Sequence, residues 1–114
     1  MEKSKKDHVS FEQALKLKEK GFNQRTEPYR YNKDGELTLL EGLNAPEKWM
    51  VIEWLIVNHG YYIVTTTSIM TRRYESVVYD IRGEKAIRVF LAANYEFPQV
   101  AISEAIDYVL NNLI

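Results

Sequence analysis

The chain has 114 residues, the size of one domain able to bury a core of its own, and its 46% hydrophobic, 27% charged composition lies far from that of disordered chains. It contains no cysteine, which excludes a disulfide framework, a thiolate metal site and a cysteine nucleophile. The net charge of −1 hides an asymmetry, because residues 1–33 carry 9 Lys and Arg against 5 Asp and Glu, whereas residues 34–114 carry 6 against 11.

These bounds predict a single α+β domain over residues 1–114, with residues 1–8 as a flexible tail because no apolar anchor precedes Val9. The basic start is not followed by the apolar region of a signal peptide, and no segment approaches the roughly 20 apolar residues of a membrane span. A cytoplasmic protein with no membrane partner is expected.

Ser10 followed three residues later by Gln13 has the form of a capping box, in which hydroxyl and amide each satisfy a free backbone N–H at a helix start. The helix that opens there carries Phe11, Ala14 and Leu15 on one face and Lys16, Lys18, Glu19 and Lys20 in exposed positions, and it stops at Gly21. Residues 28–32 and 37–41 are short apolar runs on either side of Asp34-Gly35, which predicts a small hairpin. A second helix begins near Asn44-Ala45-Pro46-Glu47, with Asn44 or Ala45 as its cap, and ends at His59-Gly60.

Residues 61–67, 74–81 and 86–91 are rich in β-branched and aromatic side chains and predict three consecutive strands in an antiparallel meander covered on one face. In the third, Ile87, Val89 and Leu91 alternate with Ala86, Arg88 and Phe90. Pro98 opens a final helix with an apolar stripe of Ile102, Ala105, Ile106, Val109, Leu110 and Leu113. The order α-β-β-α-β-β-β-α lacks the regular alternation of doubly wound folds, so helices packed on a mainly antiparallel sheet are expected. Trp54, Leu55, Val89, Ile106 and Leu110 are the expected core.

The run Ser10-Phe11-Glu12-Gln13-Ala14, then Lys20-Gly21-Phe22, Ala45-Pro46, Trp54-Leu55, His59-Gly60 and Ala105-Ile106-Asp107-Tyr108, resembles an uncharacterised family of small proteins encoded by phages, prophages and mobile elements of gut bacteria. The likeness covers most of the chain and rests on helix caps and core positions. It implies a bacterial host cell and no particular activity. In that family the second helix is polar or small where this chain has Trp49, Ile52, Ile56 and Val57, while Met50, Val51, Trp54 and Leu55 keep the family's apolar character. The helix thus has two apolar faces, and Trp49, Ile52 and Ile56 form a candidate interface with a second copy or another protein.

Chemistry is sparse. His59 sits in the last turn of a helix with no adjacent carboxylate to orient it, which suits a packed or dipole-facing ring better than a base. The pairs Glu75 with Asp80 and Glu104 with Asp107 read as solvated, and no phosphate loop, nucleophile elbow or metal-ligand spacing is present. No catalytic, cofactor-binding or metal residue is therefore named, and no cofactor is expected. The reading that follows is a non-enzymatic accessory protein acting by protein binding or self-association as a homodimer. The alternative is a nucleic-acid contact through Lys3, Lys5, Lys6, Arg72 and Arg73, with Thr65-Thr66-Thr67-Ser68 supplying hydroxyls beside the two arginines.

Overall fold

The computed structural model describes residues 7–26, 29–39 and 41–114, so Lys3, Lys5 and Lys6 lie outside the described residues. The chain divides into two compact units, residues 1–50 and 51–114, and each holds a three-stranded antiparallel sheet. The fold is α+β in the expected element order, with one further strand ahead of the second helix.

In the first unit, α1 (Phe11–Glu19) starts with the capping box in full: the Ser10 backbone N–H donates to Gln13 Oε1 at 2.9 Å, and the Gln13 N–H donates to Ser10 Oγ at 3.1 Å. It ends at Gly21, whose φ of +97° is the left-handed conformation that side chains resist. The Phe22 N–H reaches back to the Leu17 carbonyl at 2.9 Å, and the Gly21 N–H reaches that of Lys18 at 3.2 Å, so two orphan carbonyls are satisfied by a Schellman turn. The buried face is Gln13, Ala14 and Leu17, whereas Leu15 is exposed. The capping box turns Gln13 inward and moves the apolar stripe round from the expected Phe11, Ala14 and Leu15.

Two strands, β1 (Arg30–Tyr31) and β2 (Leu37–Thr38), flank the turn at Asp34-Gly35, where Asn32 Oδ1 accepts from the N–H groups of Asp34 and Glu36. A third strand, β3 (Leu43–Asn44), pairs with the other edge of β1, giving the order β2-β1-β3. Asn44 is therefore a strand residue and not a helix cap. Its Oδ1 accepts from the Thr26 N–H at 3.2 Å, and Thr26 Oγ1 in turn accepts from the Ala45 N–H at 2.8 Å.

The expected tail also ends earlier than residue 8. His8 is 4% exposed and bridges to Glu47, and the Val9 N–H donates to the Pro46 carbonyl at 3.0 Å. The Tyr31 hydroxyl donates to the Val9 carbonyl, and burial pushes its pKa up. These backbone partners are distant in sequence, so the missing apolar anchor before Val9 did not set the boundary.

The second helix, α2 (Lys48–His59), runs through the division between the units. Of the expected inner face Met50, Val51, Trp54 and Leu55, the last three are buried and Met50 is half-buried. In the second unit, Gly60 at φ +72° turns the chain directly into β4 (Tyr61–Thr67), which pairs with β5 (Tyr74–Asp80), itself paired with β6 (Ile87–Tyr95). The final helix, α3 (Pro98–Tyr108), lies against all three strands and widens into a π-helical turn over Val109–Leu113. Ile63, Ser76, Val78 and Ala92 are buried in the sheet, and Ala101, Ala105, Ile106, Val109 and Leu110 are buried on the helix. Phe90 stacks on Tyr108 with ring centroids 4.1 Å apart.

The third strand departs from the expected alternation. Val78 pairs with Phe90, but Tyr79 pairs with Arg88, so Val89 is an extra residue in a β-bulge. The bulge switches faces along β6: Phe90 and Ala92 share the side of Val78 and Ser76, and Leu91, opposite Val77, is 44% exposed on the other, while Ile87 at the strand's start, opposite Asp80, is 60% exposed. Val89 is only half-buried and leaves the core set, whereas Trp54, Leu55, Ile106 and Leu110 remain in it. Leu110 is 3% exposed, so Leu110→Ala is expected to cost about 2–5 kcal/mol. A lower urea midpoint at unchanged slope checks this, and an unchanged midpoint would remove Leu110 from the core.

Candidate interaction surface

On α2, Trp49 is 59% exposed and Val57 is 75% exposed, while Ile52 and Ile56 are half-buried. The helix repeat places Trp49, Ile52 and Ile56 within an arc of about 60°, with Val57 about 80° beyond Trp49. Of the three candidate interface residues, only Trp49 stands well into solvent. Val57 is more exposed still and lies outside the face that the periodicity grouped.

The connection between β4 and β5, residues 68–73, is a closed turn. The Arg72 N–H donates to the Ser68 carbonyl at 2.7 Å, the Ser68 N–H donates to the Arg73 carbonyl at 2.9 Å, and Thr67 Oγ1 donates to that same carbonyl at 3.2 Å. Arg72 takes a φ of 58°, rare for a side-chain-bearing residue. The two candidate arginines have different employment. Arg73 Nη2 donates to the Asn94 carbonyl at 3.0 Å and ties the turn to β6, whereas Arg72 is exposed. The threonine run is likewise occupied in part by the hairpin, with Thr65 Oγ1 and Ser76 Oγ 2.8 Å apart. Ile69 at 90% exposure and Met70 at 92% form the crest of this turn. Their signal in the sequence is two consecutive large apolar residues inside a turn otherwise made of Ser, Thr and Arg.

The remaining candidates do not converge. His59 packs edge-on against Trp54 with ring centroids 4.7 Å apart, so its ring helps close the helix end. Glu75 and Asp80 are five residues apart on one strand and point to opposite faces. Glu75 accepts from Thr66 Oγ1, and Glu104 is exposed. No group of three or more His, Asp or Glu among the described residues could hold a metal ion. In the first unit, a depression of about 290 Å³ is lined by Ala14, Leu17, Phe22 and Leu43, with Lys18 as its one titratable side chain. No helix among the described residues is long and apolar enough to cross a membrane.

One charged contact is built with care. Asp80 accepts from Arg82 at Nε (3.0 Å), Nη2 (2.8 Å) and the backbone N–H (3.0 Å). The Arg82 guanidinium lies 4.9 Å from the centroid of the Tyr61 ring, and a Cβ at Gly60 would come within 2.4 Å of Arg82 Cγ. Gly60 thus leaves room for the arginine to lie across the start of β4. The hydrogen bonds from Arg82 hold the Asp80 carboxyl at a pKa of about 2, below its ordinary 3.8.

Compared with protein-family models, curated proteins and solved structures, the chain matches none of them.

Because the folded pKa of Asp80 is depressed, its contribution to stability is present above pH 3.8 and is lost as the pH falls towards about 2. A carboxyl NMR titration should place the Asp80 midpoint near 2, and Arg82→Gln should return it towards 3.8. A midpoint that Arg82→Gln leaves unmoved would mean that the fork is not what holds the proton off.

Proposed function

We propose that this chain is a non-enzymatic accessory protein of a phage or mobile element that acts by binding a protein, a second copy of itself included. The observation that carries the reading is the exposure of Trp49 at 59% and Val57 at 75% on α2, a helix whose opposite face already supplies the buried Val51, Trp54 and Leu55. A helix that packs with one face has no need of large apolar side chains on the other, and a half-exposed tryptophan is the side chain that protein interfaces most favour as an anchor. The mobile-element origin rests on the resemblance of the helix caps and core positions. The dispersed carboxylates and the two packed histidines, His8 against Tyr29 and His59 against Trp54, support a binding role over catalysis.

Sedimentation velocity tests it. A species heavier than the 13.4 kDa monomer is expected, either in the purified protein or in extract from the bacterial host. Trp49→Glu and Val57→Glu should each return it to the monomer with the circular dichroism spectrum unchanged, because both sites are solvent-exposed. A monomer in both settings, indifferent to the two substitutions, would overturn the reading. Binding to duplex DNA or RNA at low salt that Arg72→Glu abolishes would favour the nucleic-acid alternative instead.

A further inference from the structure

We infer that the turn at residues 68–73 is a docking loop for a protein whose receiving surface is an apolar pocket rimmed by carboxylates. The inference shares with the proposed function only the premise that the chain binds protein, and it concerns a different surface. Ile69 and Met70 are 90% and 92% exposed, the highest values of any large hydrophobic side chains described. Neighbouring exposed apolar side chains on a turn have no structural task in the fold, since neither contributes to the core.

The turn is also fixed in shape. Besides the Ser68, Arg72 and Arg73 backbone bonds, the Arg73 N–H donates to Thr71 Oγ1 at 3.2 Å and the Thr71 N–H donates to Ser68 Oγ at 3.4 Å. The bond from Arg73 to the Asn94 carbonyl anchors the turn to the neighbouring strand. A partner would therefore meet Ile69 and Met70 already presented, without the cost of ordering a loose loop.

Charge and shape select the partner. Residues 68–73 contain two arginines and no carboxylate, and the Arg72 guanidinium is exposed. The nearest acid in sequence, Glu75, accepts from Thr66 on the adjacent strand. The complement of this crest is a cavity that takes two aliphatic side chains and offers Asp or Glu at its edge. A convex tip fits a concave protein pocket, and methionine adapts to an irregular one. A phosphate backbone would use the arginines and leave Ile69 and Met70 wet. A bilayer would be held by two side chains and two charges alone, which is marginal without a further anchor.

The probe is a displayed library of one small folded scaffold with a randomised concave face, panned on the full chain, with Met70→Ser and the double variant Ile69→Ser, Met70→Ser as counter-selections. The expected result is enriched binders whose randomised face combines aliphatic or aromatic residues with Asp or Glu. They should lose about tenfold or more in affinity on Met70→Ser and on Arg72→Glu, retain affinity on Val57→Glu, and weaken as salt rises. The variants change side chains outside the core, and unchanged circular dichroism confirms each before binding is read. Failure of the library to enrich on the parent over the variants overturns the inference, as do selected binders without acidic residues. Tip-dependent binding to phosphatidylserine-containing vesicles or duplex DNA, in place of a protein, overturns it in favour of those surfaces. Loss of affinity on Val57→Glu alone would assign the binders to α2 and leave the tip without a role.

Discussion

The second unit depends on how three antiparallel strands meet one helix. Ser76 and Val78 at the centre of β5 are fully buried on the face that carries Phe90 and Ala92, and α3 crosses that face. Ala101 and Ala105 on the helix are also fully buried, and their small side chains let its backbone come close to the sheet. A buried serine at such a contact needs a partner, which the Thr65 hydroxyl supplies from β4. The other face of the sheet is left to Tyr62 at 42% exposure and Leu91 at 44%, between which Val77 is still only 9% exposed. The sheet keeps a dry side beneath α3 and a partly exposed, partly apolar side opposite it. At the far end of the hairpin, in the 68–73 turn, Ile69 and Met70 are almost fully exposed.

What could be read from the sequence was what local chemistry decides. The Ser10 and Gln13 box, the Gly21 stop and the turn at Asp34-Gly35 use partners within a few residues and stand where expected, while the three long strands and α3 announce themselves by composition and periodicity, although β6 runs on to Tyr95. The misses share a long-range cause. Strand β3 is two residues long and exists because β1 offers a free edge, so it carries no periodicity of its own. Asn44 was expected to satisfy a backbone N–H as a helix cap, and it does satisfy one, but that of Thr26. His8 is held by a bridge to Glu47, and no pattern around His8 announces it. On β6 the alternation was real and its phase was not, because the bulge at Val89 moves Phe90, Leu91 and Ala92 to the opposite faces, and a second irregularity before Tyr95 restores the phase.

The candidate site was legible in outline only. Helix periodicity identified a second apolar face on α2, yet burial divides it: Trp49 and Val57 stand in water while Ile52 and Ile56 are half covered. Arg72 and Arg73 looked equivalent as adjacent cations, but one is spent on the Asn94 carbonyl and the other is held outward by a left-handed backbone. Ile69 and Met70 lie in the connection expected between the strands at 61–67 and 74–81, but there the hydroxyls and the two arginines stood out and the apolar pair did not. What the structure adds is that both side chains stand almost wholly in solvent. The bonds that close that turn, from Ser68, Thr71 and Arg73, make an exposed apolar crest rigid, and rigidity separates a presented surface from a frayed loop.

Native-state amide hydrogen exchange on the full chain tests this account most directly, because it reads the covered strand and the uncovered turn in one experiment. The N–H groups of Ser76, Val77 and Val78, in the central strand beneath α3, should exchange only through global unfolding. Those of Ile69 and Met70 should exchange at close to unprotected rates in the same sample. Protection at Ile69 and Met70 as strong as that of β5 would mean that the crest is covered in the free protein, and exchange of β5 as fast as that of the turn would mean that α3 does not hold the sheet. Either result would contradict the one-sided packing on which the structure of residues 51–114 rests.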